Sequence, residues 1–236
     1  MERAATPDGT EGPFPRPEVR RARRLTAELL EAVGQQMGDG PLTAGALSRA
    51  TAELLPVDGV GICTVTGDLR LLLGTSTAAA ETAEELETTL GDGPCLAAAL
   101  SRSSCLTDLP ELLSRWPLYG EGLTRQTPYR SAAAIPLLTS EGQVFAALDL
   151  YAEDPHLSAQ LDLEVVAADI GASLGALLDV CLRPVRDASD EAALPEWYED
   201  ATARRLDVWV AIGIVMAGDD RPSDDALSLL LSLIHI

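Results

Sequence analysis

The chain has no lysine and no asparagine; all 17 of its basic residues are arginine. Both missing residues use AT-rich codons, so the bias fits a high-GC genome. The gaps also remove whole chemistries. A Walker-type phosphate loop needs its lysine, a pyridoxal-phosphate enzyme its Schiff-base lysine, and a kinase core both residues. Histidine is nearly absent as well, with His156 in a turn and His235 near the end. No His/Cys/Asp/Glu group has metal-ligand spacing, so neither a metal nor a cofactor is expected. The four cysteines, at 63, 95, 105 and 181, are irregularly spaced. With no apolar signal core at the N-terminus, they read as reduced thiols in a cytoplasm. Glu2, Asp8 and Glu11 argue against a transit peptide. No stretch reads as long and apolar enough to span a bilayer, which takes about 20 residues, so no membrane partner is expected.

What is abundant is acid. The formal charge is −20, and a field of that sign repels nucleic acid and anionic membrane. Any RNA contact must come from a local basic patch. The densest cluster is "RRARR", Arg20 to Arg24. It is read either as a solvated helix face or as a contact for an acidic partner or phosphate. An apolar share of 47% is enough for a substantial core.

Residues 1–17 are rich in Pro and Gly and carry no period, which predicts a disordered tail. From Arg20 to Met37 the positions Ala22, Leu25, Leu29, Val33 and Met37 repeat at helical spacing, and Leu42 to Leu55 predicts a second helix stopped by Pro56. The period then becomes two: residues 57–67 and "LRLLLGTS" predict a hairpin. Helical pieces broken at Gly91–Pro94 follow, then a short strand at 104–109. Residues 110–130, with Trp116, Tyr119 and Tyr129, read as a long aromatic loop. "SAAAIPLL" and "QVFAALDLY" predict a second hairpin, with Val144, Ala146, Leu148 and Leu150 on one face and Phe145, Ala147, Asp149 and Tyr151 on the other. Ser158 is expected to cap a long helix with a stripe from Leu163 to Cys181, and Pro184 to end it. Residues 184–200 read as a polar linker before an apolar C-terminal helix that Gly218 stops. Antiparallel hairpins among helices make the fold class α+β.

At "TLGDGPCLAAAL", "CLTDLPE", "RWP" and "AAAIPL…VFAALDLY", the region from Leu42 to Leu182 resembles a GAF domain of the type found in actinobacterial regulators. The resemblance implies a small-molecule sensor module at 18–183, with a central antiparallel sheet and a homodimer contact through its flanking helices. Residues 201–236, "ARRLDVWVAIGIVMA…SDDALSLL", resemble the start of an ANTAR domain. ANTAR domains are three-helix modules that hold paired RNA hairpins and prevent transcription termination. The matching core is Ala211, Gly213 and Met216, followed by Ser223 and Ala226. Together with the nearby Arg204 and Arg205, these are the RNA-binding candidates that the resemblance implies. The chain departs from the family in two ways. The expected third helix is replaced by "LSLIHI", which reads as a truncation. Residues 195–236 also carry three arginines against eight acids, and Ile212 stands where a lysine is common. Loss of cations weakens a phosphate-driven contact steeply, so weak RNA binding is expected.

For the sensor half, the candidate ligand pocket comprises the thiols Cys63, Cys95 and Cys105 with Trp116, Tyr119 and Tyr129. Phe145, Asp149 and Tyr151 complete it. The Asn- and Lys-containing motif of cyclic-nucleotide GAF domains is missing, as is the bilin-attachment pattern of phytochromes. The expected function is therefore a non-catalytic, signal-responsive antitermination regulator. A stand-alone small-molecule or redox sensor is the alternative. A thiol-dependent methionine-sulfoxide reductase is a further rival, because GAF-fold reductases use cysteines near Cys95 and Cys105.

Overall fold

The computed structural model describes residues 17–66, 69–186 and 195–219. Five strands form one antiparallel sheet: β1 (Gly59–Thr66), β2 (Leu69–Thr75), β3 (Cys105–Thr107), β4 (Ser131–Leu138) and β5 (Val144–Ala152). Their order is β2-β1-β5-β4-β3. The two predicted hairpins are present, and β1 pairs with β5 to join them at the sheet centre.

Helices cover both faces. On one face, α1 (Pro17–Met37) and α2 (Ala44–Leu54) pack with a long C-terminal helix. That helix comprises α7 (Leu163–Val166), a π-helical turn (Ala167–Gly171) and α8 (Ala172–Arg186). Its stripe of Val166, Ile170, Leu174, Leu178 and Leu182 meets Val60, Ile62, Leu148 and Leu150 of the sheet in the main core. By length and composition, 163–182 would be apolar enough to cross a membrane, contrary to the sequence expectation; half of it is buried against its own sheet. The other face carries α3 (Ala78–Leu90), α4 (Pro94–Ser101), α5 (Leu109–Arg115) and α6 (Pro117–Gln126). These cover two smaller clusters, one around Tyr119, Tyr129 and Tyr151, the other around Cys63, Cys95 and Ala147.

Several boundaries differ from the sequence reading. Pro17 opens α1 rather than closing a tail, since proline at a first helical position loses no hydrogen bond. The span 110–130 is mostly helix, not loop: Pro110 and Pro117 each sit in the first turn of a short helix, where their fixed backbone angle helps. Ser158 lies in a 3₁₀ turn, and the long helix is capped by Asp162, whose carboxylate accepts from Val165 N. α8 runs through Pro184 to Arg186, and α9 spans Glu196–Asp219, one residue past Gly218. The linker expected at 184–200 is therefore helical at both ends.

The start of α9 belongs to the main core. Ala201 is buried there, with Trp197 and Tyr198 packed at its edge, and α9 lies against β2.

Two glycines separate packing from propensity. A Cβ on Gly74 would lie 2.4 Å from Gly45 N and 2.7 Å from the Ala44 carbonyl carbon, so β2 and α2 touch backbone to backbone. A Cβ on Gly34, mid-helix in α1, meets nothing within 4 Å. Gly74→Ala should lower the urea-unfolding free energy by about 2–3 kcal/mol, whereas Gly34→Ala should raise it by about 0.5–1 kcal/mol.

Candidate functional site

The face under α3 and α4 holds a buried charge cluster built around Arg70. Arg70 interrupts an otherwise apolar β2 and pairs with Val65 across the hairpin, so its side chain enters the sheet face beneath α3. On α3, Ala80, Ala83, Glu84 and Glu87 form one buried stripe at helical spacing, which carries two glutamates inward. Asp149 comes from the centre of β5. Arg70 Nη2 lies 2.6 Å from Glu84 Oε2 and 3.1 Å from Asp149 Oδ2, and Nη1 lies 3.7 Å from Glu87 Oε2. Arg70, Glu84, Glu87 and Asp149 are all at most 4% exposed.

Room for this cluster comes from a small residue. A Cβ on Gly61 would sit 2.0 Å from Glu84 Oε1, so only glycine lets that carboxylate lie flat on β1. The remaining lone pairs are taken up locally. Tyr151 donates its hydroxyl to Glu84 Oε1 at 2.9 Å. The backbone N–H groups of Cys95 and Leu96, in the first turn of α4, donate to Glu87 Oε1 at 2.8 and 3.4 Å. Glu87 therefore ties the start of α4 to α3.

Two thiols complete the cluster. Cys63 Sγ and Cys95 Sγ are 3.4 Å apart. Arg70 Nη2 donates to Cys63 Sγ at 3.4 Å, and Asp149 Oδ2 is 3.8 Å from the same sulfur. One guanidinium thus faces three carboxyl groups and a thiol pair in a buried interior. All of them ionised would leave uncompensated negative charge, which a low-dielectric site does not tolerate. The protons distribute accordingly. The hydrogen bond with Cys95, helped by the Arg70 charge and opposed by burial, lowers Cys63 below the ordinary thiol value. Burial pushes Cys95 well up, and its hydrogen bond to Cys63 adds to this. Burial, with the Glu84 charge second, raises Asp149 well above 3.8, and burial raises Glu87 above 4.5.

Of the sequence-predicted pocket residues, Cys63, Cys95, Asp149 and Tyr151 meet at this cluster. Tyr129 stacks on Tyr151, with ring centroids 5.2 Å apart, and Tyr119 and Trp116 fill the adjoining apolar cluster. Cys105 stays half-exposed at the cluster margin, its thiol near Arg115. Phe145 does not belong. The β4–β5 register shifts at Leu137/Leu138, and this bulge sends Phe145 into the main core on the opposite face. Among the RNA candidates, Arg204, Arg205, Ala211, Gly213 and Met216 all lie on α9, with Ala211 and Met216 half-buried; Ser223 and Ala226 lie outside the described residues.

The donor atoms of Cys63, Cys95 and Asp149 do fall within 4.8 Å of one another, a grouping that chain spacing did not reveal. The Arg70 guanidinium already contacts two of the three, so a cation held there would face a fixed positive charge. Arg70 itself, Glu84 and Glu87 were missed by sequence reasoning. The readable signals were a lone arginine in an apolar strand and two glutamates on the alanine face of α3.

Removing the cation should be costly. Arg70→Met leaves buried carboxyl groups without their counter-charge and should destabilise the fold by about 3–5 kcal/mol. The raised carboxyl groups also fix the sign of a pH dependence. A carboxyl that holds its proton more tightly folded than unfolded favours the folded state below its ordinary value. That contribution is lost as pH rises through the raised value. In Asp149→Asn the urea midpoint should therefore fall less between about pH 5 and about pH 8 than in the unsubstituted protein.

The GAF domain family matches residues 24–178. No curated protein matches the chain. Among solved structures, a GAF domain of nlh2 from A. aeolicus in an inactive state is 13% identical, covers 69% of this chain and 99% of its own, and has a TM-score of 0.47. The GAF domain of a phosphoenolpyruvate-protein phosphotransferase from Coxiella burnetii is 14% identical, with 73% and 97% coverage and a TM-score of 0.45. Free methionine-R-sulfoxide reductase from Neisseria meningitidis is 17% identical, with 75% and 96% coverage and a TM-score of 0.45. With a five-stranded antiparallel sheet between helices and the family match across most of it, this chain belongs to the GAF domain family.

Proposed function

We propose that the protein is a non-catalytic sensor whose GAF domain governs a C-terminal RNA-binding output of ANTAR type. The observation that supports this most is the position of β2. Through Arg70 the strand anchors the buried charge cluster. Through Leu71 and Leu73, on its other face, it joins the core that receives Trp197, Tyr198 and Ala201 of α9. A change at the cluster and the footing of the C-terminal helix thus share one strand. Such a shared element is what a coupling between sites requires.

The closed cluster speaks for sensing rather than turnover. Cys63 and Cys95 are at most 1% exposed, so a methionine-sulfoxide substrate would have to displace the protein's own packing to reach either sulfur. The output is read as weak on this chain, because three arginines stand against eight acidic residues in 195–236. Val210 and Ile214, one turn apart on α9 and 51% and 67% exposed, are the surface through which two copies would pair.

Two measurements test this. In a gel-shift with a two-hairpin RNA, binding should appear at low salt and vanish as salt approaches about 0.15 M. No binding at low salt would remove the RNA output, and tight binding at high salt would remove its weakness. In Asp149→Asn, hydrogen exchange over 196–203 should change while that of α1 does not. Unchanged exchange at α9 would break the proposed link from cluster to helix.

A further inference from the structure

We propose that Cys63 and Cys95 are an oxidant-responsive pair that closes to a reversible disulfide when a small hydroperoxide reaches Cys63. This deepens the sensor reading by naming the class of signal; the chemistry itself stands on the geometry of the two thiols.

The sulfurs are 3.4 Å apart, already in contact, and come from elements far apart in the chain. A disulfide needs about 2.05 Å, so α4 has only to settle about 1.4 Å toward β1. The shift falls to Cys95, because Cys63 is held in β1 between β2 and β5, whereas Cys95 is in the first turn of α4, which is joined to α3 through the turn at Gly91 and Gly93. The two sulfurs are not equivalent. Arg70 donates to Cys63, stabilising its thiolate and making it the nucleophile, while Cys95 remains a thiol. Cys105 has only a longer contact, from Arg115 Nη1 at 3.7 Å, and burial outweighs it; burial also raises Cys181, although both thiols are more exposed.

The steps balance. The Cys63 thiolate attacks one peroxide oxygen, the O–O bond breaks, and the departing hydroxide takes up the proton that the thiol gave up, leaving as water. Cys63 is then a sulfenic acid. Cys95 loses its proton as its sulfur attacks Cys63; the S–O bond breaks, and the second hydroxide leaves with that proton as water. Two thiols are oxidised to one disulfide while one hydroperoxide is reduced to two waters (water and an alcohol for an organic hydroperoxide). A cellular dithiol reverses the reaction by exchange.

The consequence for the cluster is electrostatic. A disulfide sulfur carries no charge, so Arg70 loses an anionic neighbour at 3.4 Å and its remaining partners are Asp149, Glu84 and Glu87. The strand that bears Arg70 is the one on which α9 rests.

The test uses the whole chain with hydrogen peroxide, followed by alkylation and peptide mapping. Titratable thiols should fall from four to two, with a Cys63–Cys95 cross-link that dithiothreitol removes. In Cys95→Ser, dimedone should trap a sulfenic acid at Cys63. In Cys63→Ser, Cys95 should stay reduced under the same exposure. Circular dichroism checks the fold of both variants, and the cross-link in the unsubstituted chain needs neither. Oxidation confined to Cys105 and Cys181, with Cys63 and Cys95 still thiols, overturns the proposal. Hydrogen exchange at 196–203 in the oxidised chain separates the two readings: a cross-link without any change there upholds the thiol pair and removes its coupling to α9.

Discussion

The interior of this GAF domain is organised by one cation with too many anionic neighbours. Among the described residues, Arg70 carries the only basic group in a cluster with Glu84, Glu87 and Asp149, all buried within 3.7 Å of its guanidinium. An isolated buried charge is untenable, and so is an excess of like charges. Each carboxyl is therefore either paired, hydrogen-bonded or protonated. Glu84 takes the shortest contact and the Tyr151 hydroxyl, and Glu87 takes two backbone N–H groups from α4. Burial, with the Glu84 charge second, raises Asp149, wedged between the guanidinium and a thiol, well above its ordinary value. Cluster and fold are hard to separate, because these same contacts join β2, β5, α3 and α4.

The fold was largely legible in the sequence where a period ran long enough. Two hairpins, the first two helices and the stripe of the long C-terminal helix could all be read from alternation or helical spacing. Failures came where a short element had no room for a period. The helices at 109–115 and 117–126 are at most ten residues each and carry a proline in their first turn, which looks like a breaker out of context. Phe145 failed for another reason: one extra residue in a strand inverts the faces from that point, and nothing in the alternation marks where it is inserted.

The site was half legible. Aromatic and acidic residues on β5 and two of the thiols pointed to the right face of the sheet. The partner that gives them meaning did not, because Arg70 meets Asp149 across 79 positions of chain. The GAF resemblance singled out Cys95 and Cys105 among the thiols. Sheet order instead sets Cys63 of β1 beside Cys95, because β1 pairs with β5 and α4 packs over β5 and its neighbour β4. Pairings of that kind are a property of topology, and a single sequence states topology only indirectly.

The wide turn in the long helix bears on how that helix keeps contact with the sheet. Its buried residues Val166, Ile170, Leu174, Leu178 and Leu182 recur every fourth position. At 3.6 residues per turn, steps of four swing the apolar edge round by roughly 40° each, winding it off a flat support. The π-helical segment Ala167–Gly171 winds more slowly and takes back part of that swing. The added girth at that point lets a sequence with the wrong repeat for a straight α-helix lie along the sheet through five successive anchors.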